Sequence, residues 1–190
     1  IHFTYLGGYK LAVQLNSRDP LVILDLLKPE TPPLIFPDIY GTKSLISIGI
    51  DCIAWYERRT NLVLLYHFQT RKRKVLNFTQ LKIKNLHTLK DHVIIAVSWK
   101  HIEILDYLKN KIIKSIGFVN GNGIPRVAVH QGGNIISYLY ERYIYVCHTE
   151  NGKIKWENHY GFKDYEENTT YIFIAQNLIA LETKNGIHIL

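Results

Sequence analysis

Apolar residues recur along the chain in short alternating runs, each closed by a polar residue. The central run of each group reads Leu-Val-Ile-Leu-Asp25, Leu-Val-Leu-Leu-Tyr66, Ile-Glu-Ile-Leu-Asp106, Tyr-Ile-Tyr-Val-Cys-His148 and Leu-Ile-Ala-Leu-Glu182. The closing residues stand 41, 40, 42 and 34 positions apart. Alternation over four to eight residues marks a half-buried strand, because successive side chains point to opposite faces. A second run precedes each of these, at 11–16, 51–57, 92–99, 134–141 and 170–176. A third follows each, at 34–39, 74–80, 111–117, 152–159 and 187–190. Runs at 44–49, 82–89 and 126–130 supply an innermost strand, which the first and last groups show poorly.

The breaks between runs are turn-like. Asn151-Gly152 separates two alternating segments within 143–156, the strongest short-range hairpin signal, since both central residues of a type I′ turn need positive φ. Residues 107–114 carry helix formers but fall at a hairpin of the repeat, and no other stretch competes as a helix. Pro29, Pro32 and Pro33 place an extended surface connection between the third and fourth strands of the first unit. Residues 118–125 read as a loop between units.

A period near 40 with four short strands per unit predicts an all-β fold, a β-propeller of about five four-stranded blades. Residues 1–190 then form a single domain with units 1–43, 44–80, 81–118, 119–160 and 161–190. Either residues 1–6 complete the last blade or the five units belong to a larger ring.

Composition adds little to this picture. Hydrophobic residues make up 47% and charged residues 21% of 190, and 13 tyrosines favour strands, so the chain reads as globular, not disordered. No apolar run reaches the roughly 18–20 residues that span a bilayer as a helix. Cys52 and Cys147 lie in separate strand-like runs, a spacing of buried thiols and not of a disulfide framework or zinc site. The nine histidines show no pairing at metal-ligand spacing, so no metal and no cofactor is expected. Asn77-Phe-Thr79 and Asn168-Thr-Thr170 match the N-glycosylation pattern and leave an extracytoplasmic location open. The formal net charge of +7 gives a general attraction to anionic surfaces.

The phrase at 143–156 resembles the blade repeat of quinoprotein-like (PQQ-like) β-propellers, Ala-x-Asp-x-x-Thr-Gly-x-x-x-Trp. Val146-Cys147-His148 stands at Ala-x-Asp, Asn151-Gly152 at Thr-Gly and Trp156 at the closing Trp. Ala180-Leu181-Glu182 with Asn185-Gly186 and Leu190 is a second copy, and Leu105-Asp106 with Asn110-Lys111 keeps the Asp and loses the Gly. The resemblance implies that Trp156 packs between blades and that the turn glycines permit tight hairpins. WD40-like propellers share the period, but no Trp-Asp pair ends a strand here. Catalytic quinoproteins hold a calcium-bound cofactor with acidic and amide side chains and often carry a vicinal Cys pair; this chain has neither adjacent cysteines nor an acidic cluster on its candidate inner strands.

Chemistry is therefore sought on the surface. Arg71-Lys72-Arg73-Lys74 is expected on the hairpin between the third and fourth strands of unit 2. Lys82 and Lys84 alternate on the next strand, and Tyr66 and Phe68 stand near enough to offer stacking. With Asn122 and Arg126 of the 121–126 loop, these form the expected partner-contact set of a non-catalytic interaction module that binds a protein. The alternative is a basic propeller that binds nucleic acid or another polyanion. A third reading is a carbohydrate-active enzyme using Asp51 and Asp91, which stand 40 residues apart at equivalent places. A turn role for each Asp is the simpler explanation. Gly121-Asn122-Gly123 lacks the Gly-Lys-Ser/Thr of a phosphate-binding loop and reads as a turn.

Overall fold

The computed structural model describes residues 2–6, 9–16, 18–37, 39, 44–79, 82–89, 92–118, 125–129, 135–140, 143–150, 153–161, 171–175, 178–183 and 186–189. Among these, side chains are described from 4 to 148 and at 180, 186, 187 and 189. The described residues form nineteen strands and no helix. They divide into two compact units, Ile1–Leu86 and His87–Leu190.

The first unit holds two antiparallel meanders. One is β1 (His2–Tyr5), β2 (Lys10–Gln14), β3 (Leu21–Asp25) and β4 (Leu34–Phe36). The other is β5 (Leu45–Ile48), β6 (Cys52–Glu57), β7 (Leu62–His67) and β8 (Lys72–Leu76). Each strand pairs with its sequence neighbour, which is what short polar turns between alternating runs dictate. The two sheets bury facing sides. Register places Ala12 opposite Ile23 and Leu21 opposite Phe36. These four pack with Ile53, Trp55 and Tyr66 of the second sheet in one core, joined by Leu6 and Ile39. β1 lies beside β5, and the Ser47 hydroxyl donates to the Leu6 carbonyl at 2.6 Å, tying the first sheet to the second.

The second unit repeats the plan. β9 (Asn85–Leu89), which begins two residues before the unit boundary, pairs on through β10 (Val93–Val97) and β11 (His101–Asp106) to β12 (Lys111–Gly117). The next sheet is β13 (Arg126–Val129), β14 (Ile135–Tyr140), β15 (Tyr143–Glu150) and β16 (Lys153–Gly161). Val93, Ile95, Val97, Ile102 and Ile104 of one sheet share a core with Ile136, Tyr138 and Cys147 of the other. A last sheet of three described strands follows: β17 (Tyr171–Ala175), β18 (Leu178–Thr183) and β19 (Gly186–Ile189), with β17 beside β13. The expected fifth four-stranded unit thus has three strands among the described residues.

The periodic polar residue has a structural reason. The last residues of β3, β7 and β11 are Asp25, His67 and Asp106, and the amide after each donates to a carbonyl at the start of the preceding strand. These bonds are Leu26 to Tyr9 at 2.8 Å, Phe68 to Asp51 at 2.8 Å and Tyr107 to His92 at 2.9 Å. The same closing residue also accepts from the turn that follows. Asp25 takes the Leu27 amide at 3.0 Å, Asp106 the Lys109 amide at 3.0 Å, and His67 Nδ1 the Thr70 amide at a looser 3.5 Å. Unit 2 is therefore closed by His67, one residue beyond the expected Tyr66, whose ring is instead core. An acceptor side chain that caps its own turn is the local chemistry Asp supplies best.

Two strand starts differ from expectation where the basic residues lie. β8 starts at Lys72 and not at 74, so the basic run is not confined to a turn. Lys82 and Lys84 precede β9 and do not alternate along it, because the innermost strand begins only at Asn85. Lys82 has φ +61°, which is incompatible with extended strand. Trp156 pairs with His148 in β16, but its side chain lies outside the described set, as do Asn151, Gly152 and Asn185. Gly186 opens β19 at φ +127°, a conformation that favours glycine.

Candidate functional site: the cationic edge of the second sheet

β8 is the edge strand of its sheet among the described residues, and Lys72, Arg73, Lys74 and Val75 are all exposed on it. A strand whose residues must face solvent on both sides of the pleat has no use for an apolar alternation, and its cations keep such an edge from pairing with other sheets. Arg71 sits just before it in the turn at φ +55°, where Asn110 occupies the equivalent place before β12 at φ +52°.

Alternation divides the basic run between two faces. Lys72 lies opposite His67 and Lys74 opposite Leu65, so the two lysines share one side. Arg73 lies opposite Tyr66 on the other. There Arg73 is engaged: its guanidinium carbon stands 5.6 Å from the centre of the Phe36 ring. Phe36 meets Tyr66 edge-on at 4.8 Å, and Tyr66 meets Phe68 edge-on at 5.7 Å. The Lys10 ammonium stands 5.7 Å from the Phe68 ring centre. Tyr66 is only 5% exposed. The expected stacking platform is thus spent on packing: Tyr66 is core, and Lys10 already sits over Phe68.

Lys82 reaches the same sheet by another route. Burial holds the Tyr56 hydroxyl pKa above its ordinary value, opposed by the backbone amides of Lys82 and Ile83 and by the charge of Arg58. Tyr56 also donates to Asn61 Oδ1 at 2.7 Å. Arg58 and Lys82 therefore gather around Tyr56, at the end of the sheet where the β6–β7 turn lies. The register Val63 to Leu76 brings the end of β8 to that same side. Arg71 marks the opposite end.

Charge counting along the chain shows what the tetrapeptide alone understates. Residues 58–90 contain nine of the 23 Lys and Arg and none of the 16 Asp and Glu, which leaves 14 cations against 16 acids elsewhere. The whole positive balance of the protein belongs to this one span, from the β6–β7 turn to the residue after β9. Arg58 and Arg59, exposed in the β6–β7 turn, were missed as site residues, and the acid-free span is the signal that finds them.

The remaining expected residues are not part of this edge. Arg126 opens β13 in the second unit, with its Nη1 buried and lacking a hydrogen-bond partner among the described residues. Asn122 lies outside the described residues. Asp51 holds a turn, its carbonyl accepting from Phe68 and its carboxylate from Gln69 Nε2 at 3.1 Å, while Asp91 lies outside the described residues. Cys52 is buried in β6, where burial and the Asp51 carboxylate raise its pKa.

Comparison with known proteins bears on the fold. No family model matches the chain, and no curated protein matches it. Among solved structures, the chain is similar to one in the complex of KlAtg21 with the coiled-coil of AgAtg16, with a TM-score of 0.68 at 18% identity. The match covers 95% of this chain and 63% of that one. In all, 846 chains of solved structures match, so the likeness describes a widespread architecture and not an activity. No helix among the described residues is long and apolar enough to cross a membrane.

Proposed function

We propose that the chain is a non-catalytic β-propeller module that binds a protein partner. Its four-stranded meanders are the blades, and the quinoprotein-like phrase at 143–156 is a surviving copy of the blade repeat. The observation that carries the reading is the edge strand β8, on which Lys72, Arg73 and Lys74 are exposed in succession. The similar solved chain, which comes from a complex with a coiled-coil, is consistent with such a role. A strand edge offers directional main-chain pairing to a polypeptide, whereas nucleic-acid binding would draw on rings that are here committed to packing.

The test is affinity capture with the intact chain from nuclease-treated extract, with the recovered material identified after a wash at raised salt. Recovery of a stoichiometric protein supports the module. Recovery that vanishes entirely on nuclease treatment returns the polyanion reading to first place. Hydrolysis of a glycan abolished in Asp51→Asn would overturn the non-catalytic assignment.

A further inference from the structure

We propose that the outward face of the first sheet is a self-association surface, on which a second copy of this chain docks its own first sheet. The inference is independent of the partner binding proposed above, since it uses no residue of β8.

Register sorts the first sheet into two faces. Ala12, Ile23 and Phe36 point into the core shared with the second sheet. The residues between them in sequence lie on the other side, in two cross-strand rows. Val13, Val22 and Ile35 form one row, and Tyr5, Leu11 and Leu24 the other. None of the six carries a charge at neutral pH. Tyr5 is 61%, Ile35 53% and Leu24 37% exposed, while Leu11, Val13 and Val22 are half-buried. A sheet face meant for water alternates polar residues with the apolar ones of its core side, and this face does not. A contiguous exposed apolar patch marks a contact surface.

The occupant follows from how the protein packs its own sheets. β6 is buried at five successive positions, Cys52 to Tyr56, so the second sheet is covered on both faces. One of those covers is the first sheet, which meets Ile53, Trp55 and Tyr66 face to face. The first sheet likewise has two apolar faces, and the outward one is exposed. Twisted sheets pack face to face through interleaved side chains, and a face that meets its own copy about a two-fold axis needs no second surface.

Charge favours this side for contact between copies. Two chains of net charge +7 repel one another. Residues 1–37 are balanced, with Lys10, Arg18 and Lys28 against Asp19, Asp25 and Glu30. The cations of β8 belong to the second sheet, which packs on the opposite side of the first. Copies that meet through the outward face therefore keep those cations far apart. The face is small: four strands about 4.8 Å apart and about five residues long give roughly 19 by 17 Å. That is the low end for a specific interface, so the dimer forms only at high concentration and the dilute chain is a folded monomer.

The experiment is sedimentation velocity of the intact 190-residue chain over about a hundredfold range of concentration. The sedimentation coefficient should rise with concentration toward that of a dimer. Leu24→Lys/Ile35→Lys should weaken association at least about tenfold, because like charges would then face one another. Ile50→Lys/Leu62→Lys adds the same charge to exposed apolar positions of the second sheet and its turn, and should associate as the unaltered chain does. Leu24→Glu/Ile35→Glu should also be monomeric alone, yet an equal mixture with Leu24→Lys/Ile35→Lys should sediment as a dimer. Fluorescence of the buried Trp55 in dilute solution checks that each variant is folded. An unaltered chain that stays monomeric throughout overturns the second copy and leaves the face to a sheet of another protein. Association untouched by the lysine pair places the contact elsewhere and overturns the site. A mixture that stays monomeric overturns the pairing of like faces. Capture of a different protein partner is decided by none of these outcomes.

Discussion

The guanidinium of Arg73 lies over the ring of Phe36, 5.6 Å from its centre, and so joins the edge strand of the second sheet to the edge strand of the first. Three neighbouring cations in sequence therefore have different work. Arg73 covers a buried aromatic with its stem and charge, while Lys72 and Lys74 stand on the other side of the pleat. Arg73→Ala should lower stability by about 0.5–2 kcal/mol, and Lys72→Ala should change it by less than about 0.5 kcal/mol. Urea unfolding, followed by the fluorescence of the buried Trp55, measures both. Equal effects would remove the distinction.

Arg71 adopts φ +55°, a left-handed conformation disfavoured for a residue with a Cβ. Replacing it by Gly should stabilise the chain by about 0.5–1 kcal/mol, the steric relief being partly offset by the freer unfolded backbone of Gly. Asn110 holds the same place before β12 with a residue better suited to it, so Asn110→Ala should destabilise. Thermal melts of the two variants should move in opposite directions.

Ile23 and Leu24 are adjacent in β3 and face opposite ways. Ile23 is 4% exposed within the core shared by the first two sheets, whereas Leu24 is 37% exposed. Ile23→Ala should cost about 2–5 kcal/mol, and Leu24→Lys less than about 1 kcal/mol. A comparable loss at both sites would mean that the outer face of the first sheet is covered.

Burial depresses the pKa of His87 below its ordinary 6.5, and its Nε2 is buried without a hydrogen-bond partner among the described residues. The folded chain therefore binds this proton less readily than the unfolded chain does. The stability it contributes is complete above about pH 6.5 and is lost as the pH falls below that value. Asp106 acts in a lower window. Burial alone raises its pKa, but the Lys109 amide and ammonium and His92 outweigh that and bring it below 3.8, so its contribution fails only under stronger acid. The melting temperature should fall between pH 7.5 and pH 5, and His87→Gln should flatten that fall. An unaltered slope in the variant would show that His87 is not the group responsible.

Strand positions were largely legible in the sequence because alternation is local. The runs ending at Asp25, Asp106 and His148 became β3, β11 and part of β15, and the hairpin expected at 107–114 holds the turn 107–110 between β11 and β12 and the first residues of β12. The errors came where pattern and geometry separate. Tyr66 ends the apolar run and so reads as its closing residue, yet the turn is capped by His67, and a buried Tyr is apolar by its ring. Lys82 and Lys84 alternate in sequence without lying in a strand, for the backbone at Lys82 turns left-handed before β9 begins. The two-residue spacing has meaning only once extended backbone is established.

What the sequence determined by itself is a roughly 40-residue series of antiparallel meanders. Alternation, turn chemistry and the capping acceptors that end β3, β7 and β11 act between residues near one another in the chain. Tertiary structure alone decided where the cations around β8 stand. That depends on β8 lying at a sheet edge, on Phe36 from another sheet receiving Arg73, and on Tyr56 gathering the Lys82 backbone and Arg58. These are contacts between residues up to 37 positions apart, set by which faces the packed sheets cover, and no local pattern encodes them.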